Sequence, residues 1–152
     1  MQLVGSREGH HRVALQQGTV HALIWAPPGE FVVETRASTA IDLGCAYTLK
    51  VAPDGNGMIE VSMGWVGFAH DGREAFIPAG ARCATRPASG PGTPYFTDAS
   101  SGFKNALALL DVAGDEPARA SHLGTVLDEA RSEDALTLWH LLARLSGAER
   151  EA

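Results

Sequence analysis

The glycines and prolines of this chain are unevenly placed: 13 of its 17 glycines and 7 of its 8 prolines fall at or before Thr97. Residues that turn or stop the backbone at such short intervals leave little room for helices and suit many short strands joined by turns. Between them the apolar residues recur at period two. From Thr39 to Val51, Ile41, Leu43, Cys45, Tyr47, Leu49 and Val51 alternate with Asp42, Gly44, Ala46, Thr48 and Lys50, so one strand with a single core face is expected. Pro53-Asp54-Gly55-Asn56-Gly57 then signals a turn, because proline presets φ at the first corner and glycine or asparagine accepts a positive φ. The second arm, Met58 to Met63, sets Ile59, Val61 and Met63 against Glu60 and Ser62, and Gly64 bends the chain into Trp65-Val66-Gly67-Phe68. His70-Asp71-Gly72 turns into Glu74 to Ile77, and Gly80 precedes Ala81 to Thr85. Upstream, Arg12 to Gln17, Thr19 to Ala26 and Phe31 to Thr35 read as three more strands. About seven short strands at this spacing predict a mainly β domain, a jelly-roll-like or related β-sandwich.

After Asp98 the apolar period changes from two to 3.6. Phe103, Ala106, Leu107 and Leu110 form one helical stripe, Leu123, Val126, Leu127 and Ala130 a second, and Ala135, Leu138, Trp139, Leu142 and Leu145 a third. Asp98 or Ser100 and Ser132 suit helix N-caps, and Gly147 suits a stop. The chain is thus expected to divide into a β domain, residues 1–97, and a helical C-terminal extension, residues 98–152. Segments this short do not hold a helix alone in water, so Leu138, Trp139 and Leu142 are expected to dock on a protein surface.

Charge narrows the partners. The chain carries 12 Lys and Arg against 18 Asp and Glu, a net charge of −6. Its basic residues are scattered, which disfavours nucleic acid. No apolar run approaches the ~18 residues that span a bilayer, and Leu3-Val4 followed by His10, His11 and Arg12 is not expected to act as a signal peptide.

The residue types that carry chemistry are present but poorly arranged. His10 and His11 are adjacent and so point to opposite faces of a strand, His21 stands alone, His70 sits in a turn, and His122 and His140 lie in separate helical stretches. No metal site, cofactor or enzymatic activity is expected from them. No serine sits in G-x-S-x-G, and neither cysteine has a histidine at a recognisable spacing, so no catalytic residue stands out. The carboxylate pairs Asp115-Glu116 and Glu133-Asp134 fall near helix starts, where they favour the macrodipole. Gly90-Pro91-Gly92-Thr93-Pro94 lacks the lysine of a phosphate loop and reads as a rigid linker. The aromatic residues Trp25, Trp65, Phe68, Tyr95 and Phe96 suit core packing, and any that are exposed, together with Trp139, would mark a contact surface.

The run from Ala40 through Gly44-Cys45-Ala46-Tyr47-Thr48-Leu49, the turn, Gly57 to Phe68 with its Gly64-Trp65, and Ile77-Pro78-Ala79-Gly80-Ala81 together resemble the FecR protein domain over about Gly18 to Arg86. The resemblance implies a non-enzymatic, extracytoplasmic β domain, periplasmic in location, which in its relatives passes a signal across the inner membrane to a sigma factor and so binds a protein partner. It offers no catalytic residue. Two features depart from the family: Cys45 stands where threonine is usual, and no anti-sigma segment or transmembrane helix is found in the sequence. A generic ligand- or carbohydrate-binding β module is the alternative, with a cupin-type enzyme behind it. Export would expose Cys45 and Cys83 to an oxidising compartment, where they would form either one disulfide or two separate buried thiols.

Overall fold

The computed structural model describes residues 2–7, 10–25 and 27–148, with side chains from 10–25 and 27–144. The chain divides into two compact units, Met1–Pro94 and Tyr95–Ala152, the boundary falling between Pro94 and Tyr95 rather than at Thr97. The first unit is a two-sheet β sandwich. Its strands are β1 (Gln2–Arg7), β2 (His10–Ala14), β3 (Gly18–Leu23), β4 (Phe31–Glu34), β5 (Thr39–Asp42), β6 (Ala46–Val51), β7 (Gly57–Met63), β8 (Trp65–His70), β9 (Arg73–Pro78), β10 (Ala81–Arg86) and β11 (Gly90–Pro91). One sheet has the order β1-β2-β4-β5-β8-β9 and the other β11-β10-β7-β6-β3. Pairing is antiparallel throughout except between β2 and β4. The inner faces meet through Val13, Val33, Ala40, Val66, Phe68, Ala75 and Ile77 from one sheet, and Tyr47, Leu49, Val51, Ile59, Val61, Ala81 and Cys83 from the other. Thr85 Oγ1 donates across to the Ala37 carbonyl at 3.1 Å.

The expected single strand from Thr39 to Val51 is two strands in different sheets. The chain leaves one sheet after Asp42 and enters the other at Ala46, turning at Gly44 with φ +83°. The turn inverts the alternation. Ala40 and Asp42 face the core in β5, whereas Cys45, Tyr47, Leu49 and Val51 do so beyond the turn, which leaves Leu43 outside. The partner strands β7 and β8 make the same crossing at Gly64, φ +70°, and β9 passes to β10 at Gly80, φ +83°. The three crossings touch: Ala79 N donates to Gly64 O and Gly80 N to Val61 O, both at 2.9 Å. A Cβ on Gly64 would lie 2.1 Å from the Gly44 carbonyl oxygen, so only glycine lets the two bent strands pass so closely.

Other expected turns appear where the sequence placed them. At the β6–β7 turn Asp54 Oδ1 accepts from Asn56 N at 2.9 Å, and Asp71 and Gly72, both at positive φ, close the β8–β9 hairpin. The expected linker Gly90 to Pro94 is instead built into the fold. Gly90 and Pro91 form β11 beside β10, Gly92 N donates to Ala84 O at 2.7 Å, and all five residues are buried. Ala26, the expected end of the strand from Thr19, lies outside the described residues.

The second unit opens with the two-residue strand β12 (Tyr95–Phe96), followed by α1 (Ser101–Leu110), α2 (Glu116–Glu129) and α3 (Ala135–Ala148). Ala99, Phe103, Ala106, Leu107, Val126 and Leu141 make its core, with Tyr95, Leu110, Leu123, Ala130 and Leu138 packed around them. Ser100 caps α1 by accepting from Phe103 N at 2.9 Å, and Asp115 caps α2 by accepting from Ala118 N at 2.9 Å. Glu129, at the end of α2, reaches the start of α1. Its carboxylate accepts from Ser100 Oγ and, at 3.1 Å, from Phe103 N, in space that Gly102 leaves by having no Cβ.

Three expectations for α3 fail. The N-cap ahead of it is Arg131, not Ser132: a short 3-10 turn, Ser132–Asp134, leads into the helix, and Asp134 accepts from the Arg131 backbone N at 3.0 Å. The helix also runs past Gly147, and its buried face is rotated from the apolar stripe. Thr137, His140 and Leu141 are buried, while Trp139 and Leu142 are exposed. Polar groups that find partners fill positions that an apolar period would have reserved for leucine and tryptophan. Leu145 lies outside the described side chains.

Arg131 is the hinge of this unit's polar contacts. Its guanidinium donates to both Asp134 carboxylate oxygens, at 3.0 and 3.1 Å, and to Asp98 Oδ1 at 3.0 Å. Those hydrogen bonds hold the Asp134 carboxyl below the usual carboxylate range. A carboxyl held low in the folded state adds stability above its unfolded pKa of about 3.9 and loses it as pH falls through the folded value. The helical circular-dichroism signal of the full chain is therefore expected to melt at progressively lower temperature as pH is taken below about 4. Asp134→Asn should cost about 2 kcal/mol at neutral pH and flatten that acid dependence. In the β unit, Gly64→Ala is expected to cost about 3 kcal/mol in urea unfolding, through strain and the clash with Gly44. Gly72→Ala, also at positive φ but facing open space, should cost only about 1 kcal/mol.

Candidate contact surface

The strand crossing at Gly44 and Gly64 has a concave side that faces the core and a convex side that faces out. Side chains on the convex side come from the last outward positions of each sheet. In the second sheet Leu23, Ala46 and Met63 are register partners across β3, β6 and β7. Residues directly opposite one another share a face, so these three form one outward row. In the first sheet Asp42 pairs with Val66 and both are buried. Their neighbours Leu43 and Trp65, one step nearer the crossing, therefore point outward. Ser62 is an extra residue between the Tyr47–Val61 and Ala46–Met63 pairs, and this bulge adds bend at the same place.

The result is an apolar surface around the corner. Leu23 is 63% exposed, Trp65 47%, Met63 39% and Leu43 37%, and Trp25, just beyond β3, is 83% exposed. Isolated apolar residues on a surface need no explanation, but a group this concentrated is a candidate contact site. An unbroken alternation from Ile41 to Val51 sets Leu43 on the core face, and the positive-φ Gly44 was the available signal that the parity changes there; Met63 leaves the face of Ile59 and Val61 because the bulge at Ser62 shifts the register before Gly64 is reached.

Of the aromatic residues weighed for a contact surface, the structure brings Trp65 to this corner, with exposed Trp25 beside it. Phe68, one step inward on β8, is 1% exposed and fills the sandwich core, so it offers no surface. Tyr95 and Phe96 are half-buried and belong to the second unit, where Tyr95 packs against the helical core. Trp139 is exposed on α3 with its ring edge-on to that of His140, centroids 4.8 Å apart.

Cys45 and Cys83 are both fully buried thiols not joined in a disulfide, and the strand register keeps them apart. Cys83 on β10 is opposite Ile59, which is opposite Leu49 on β6. Cys45 precedes Leu49 by four positions, so the two cysteines are separated by about 13 Å along the strands and about 10 Å across them. A disulfide needs Cα atoms within about 7 Å, and none can form here. Each thiol has its own acceptors: Cys45 donates to Asp42 Oδ1, and Cys83 to the Gly92 carbonyl at 3.2 Å. Burial, reinforced by that hydrogen bond to Asp42, pushes the Cys45 thiol up to about 12. Burial likewise raises Tyr47, whose hydroxyl, like Asp42 Oδ2, meets no hydrogen-bond partner in the described protein.

The histidines of the β unit lie outside its core. His10, His11 and His21 are exposed, His21 Nδ1 lies 3.0 Å from Thr48 Oγ1, and half-buried His70 faces Asp71 at 3.4 Å. Among the described residues, no three His, Cys, Asp or Glu side chains gather in a way that could hold a metal ion. No described helix is long and apolar enough to cross a membrane.

Thiol chemistry checks this description. In the folded protein at neutral pH neither cysteine should react with an aromatic disulfide reagent on the timescale of mixing, because both are closed off from solvent and the Cys45 thiol is held protonated. Two thiols should titrate per chain after denaturation, with or without reductant; a single or absent titration without reductant would contradict the register.

No family model and no curated protein matches this chain. Among solved structures, two crystal structures of a candidate anti-sigma factor from Parabacteroides distasonis ATCC 8503 are similar to it, each with a TM-score of 0.46 and 15% sequence identity. The similarity covers 66% of this chain and 47% of that one, so the chain spans about half the length of these neighbours.

Proposed function

We propose that this chain is a non-enzymatic recognition module that binds a protein partner through the convex corner formed by Leu23, Leu43, Met63 and Trp65, with Trp25 beside it. The observation that carries the reading is the concentration of exposed apolar side chains around the Gly44–Gly64 crossing between the sheets. A tryptophan, a methionine and two leucines on a rigid bend provide the apolar centre that protein interfaces use, and the pre-formed shape limits the entropy lost on binding. The polar groups in the sandwich core do not favour a cupin-type reaction: Asp42, Cys45 and Tyr47 are shut away from water. The strand and glycine pattern resembling the FecR domain supports a finer reading, in which the module is the extracytoplasmic sensing part of an anti-sigma-type regulator and its partner belongs to the signalling complex.

A photo-crosslinking amino acid placed at Met63 or Leu43 of the full chain in its native cells tests this. A discrete crosslinked protein is expected from these positions and not from Lys50, an exposed residue on β6 away from the corner. Trp65→Asp should abolish the crosslink from Met63 while leaving the melting temperature within about 1 kcal/mol of equivalent stability, since the side chain is half exposed. No crosslink, or equal crosslinks from Met63 and Lys50, would remove the reading.

A further inference from the structure

Four strands end the two sheets of the β unit, and three of them carry features that block further pairing. β9 has Arg73, Glu74 and Pro78, β11 is two residues long and includes Pro91, and β1 ends in Arg7 and breaks its register between Leu3 and Gly5. Charges, prolines, short length and bulges are the usual means of keeping an edge from recruiting another strand. β3, Gly-Thr-Val-His-Ala-Leu, has none of them.

The hydrogen-bond phase shows which groups of β3 are open. Ile24 N donates to Cys45 O at 3.0 Å, one rung beyond the Leu23–Ala46 pair. Antiparallel rungs alternate, so Gly18, Val20 and Ala22 also bond to β6, and Thr19, His21 and Leu23 turn their N–H and C=O groups away to the free edge. These three residues are exposed. On the inward side of the same edge Val20, Ala22 and Ile24 are only half-buried, so the sandwich core is left partly open there.

From this we infer that β3 is the self-association site of the protein: two copies join antiparallel, edge to edge, about a two-fold axis at His21. In that register Thr19 faces the partner copy's Leu23, and His21 faces its own counterpart. All three outward residues of each copy are then in the phase that exchanges hydrogen bonds. The inward row sets Val20 against Ala22 of the other copy, which covers the half-buried apolar residues on both sides. No charged residue lies in β3, so the antiparallel match brings no like charges into register. A self-match satisfies donors, acceptors and the apolar row together, and for this reason a second copy is the occupant rather than a foreign extended peptide. The dimer forms one continuous sheet and carries two apolar corners on the same outer face.

Sedimentation velocity of the full chain over a concentration series tests the inference, with His21→Lys as the variant. This substitution places two ammonium groups opposite one another at the axis, while the exposed position leaves the fold intact, which a melting curve confirms. The wild type should pass from monomer to dimer with concentration, and His21→Lys should remain monomeric. His21→Cys should give a covalent dimer on mild oxidation, since the two positions face each other and Cys45 and Cys83 are buried; Lys50→Cys should not. A wild type that is monomeric at every soluble concentration overturns the inference, as does a dimer that survives His21→Lys; a wild-type monomer whose His21→Lys variant loses binding to an added extended peptide would reassign the edge to a foreign strand. Trp65→Asp should leave the dimer unchanged, so failure here is separable from failure of the corner as a partner site.

Discussion

The backbone of Gly64 lies so near the carbonyl of Gly44 that a single added carbon would overlap it, and the β unit is organised around that approach. Strands β5–β6 and β7–β8 are paired along their length and bend together at these glycines, so one ribbon supplies strands to both sheets. Once the bend is fixed, the inner faces of the two sheets are set against each other and the core residues follow. Bonds from Ala79 and Gly80 to the same region tie the third crossing to the first two. Left-handed conformation at all three glycines is tolerated because they lack a Cβ.

The same bend explains both the interior and the surface. On its concave side the alternation changes phase, which brings Asp42 into the core beside Cys45. The thiol then meets the carboxyl group, and the cost of burying a polar side chain is partly offset by hydrogen bonds from Cys45 and the Gly44 amide. On its convex side the phase change puts Leu43 and Met63, residues of core character, next to Trp65 in solvent. As the proposed partner site, this surface is held by the most constrained part of the fold, so binding would not have to order it first.

In the helical unit the organising contacts are ionic. Arg131 joins Asp98, ahead of α1, to Asp134, at the start of α3, and Arg144 on α3 lies 3.1 Å from Asp111 at the end of α1. Because these pairs bind α3, its apolar stripe does not decide which face is buried. Thr137 and His140 face inward, and Trp139 and Leu142 are left at the surface.

Secondary structure was largely legible from the residues. Turns at Asp54-Gly55-Asn56 and Asp71-Gly72, the change of period after Asp98, and the cap at Ser100 all depend on local backbone chemistry, which the sequence carries within a few residues. Facing was not local. A period-two pattern tells which residues share a side of one strand, but not that a strand ends inside the pattern, and Gly44 looked like one more small residue on the polar face. Only the tertiary structure showed that β5 and β6 belong to different sheets, that Cys45 and Cys83 are held two strands apart, and that the exposed apolar residues meet at one corner. Each of these depends on pairings between residues distant in sequence, whose register is chosen by the packing of the whole core rather than by any single segment.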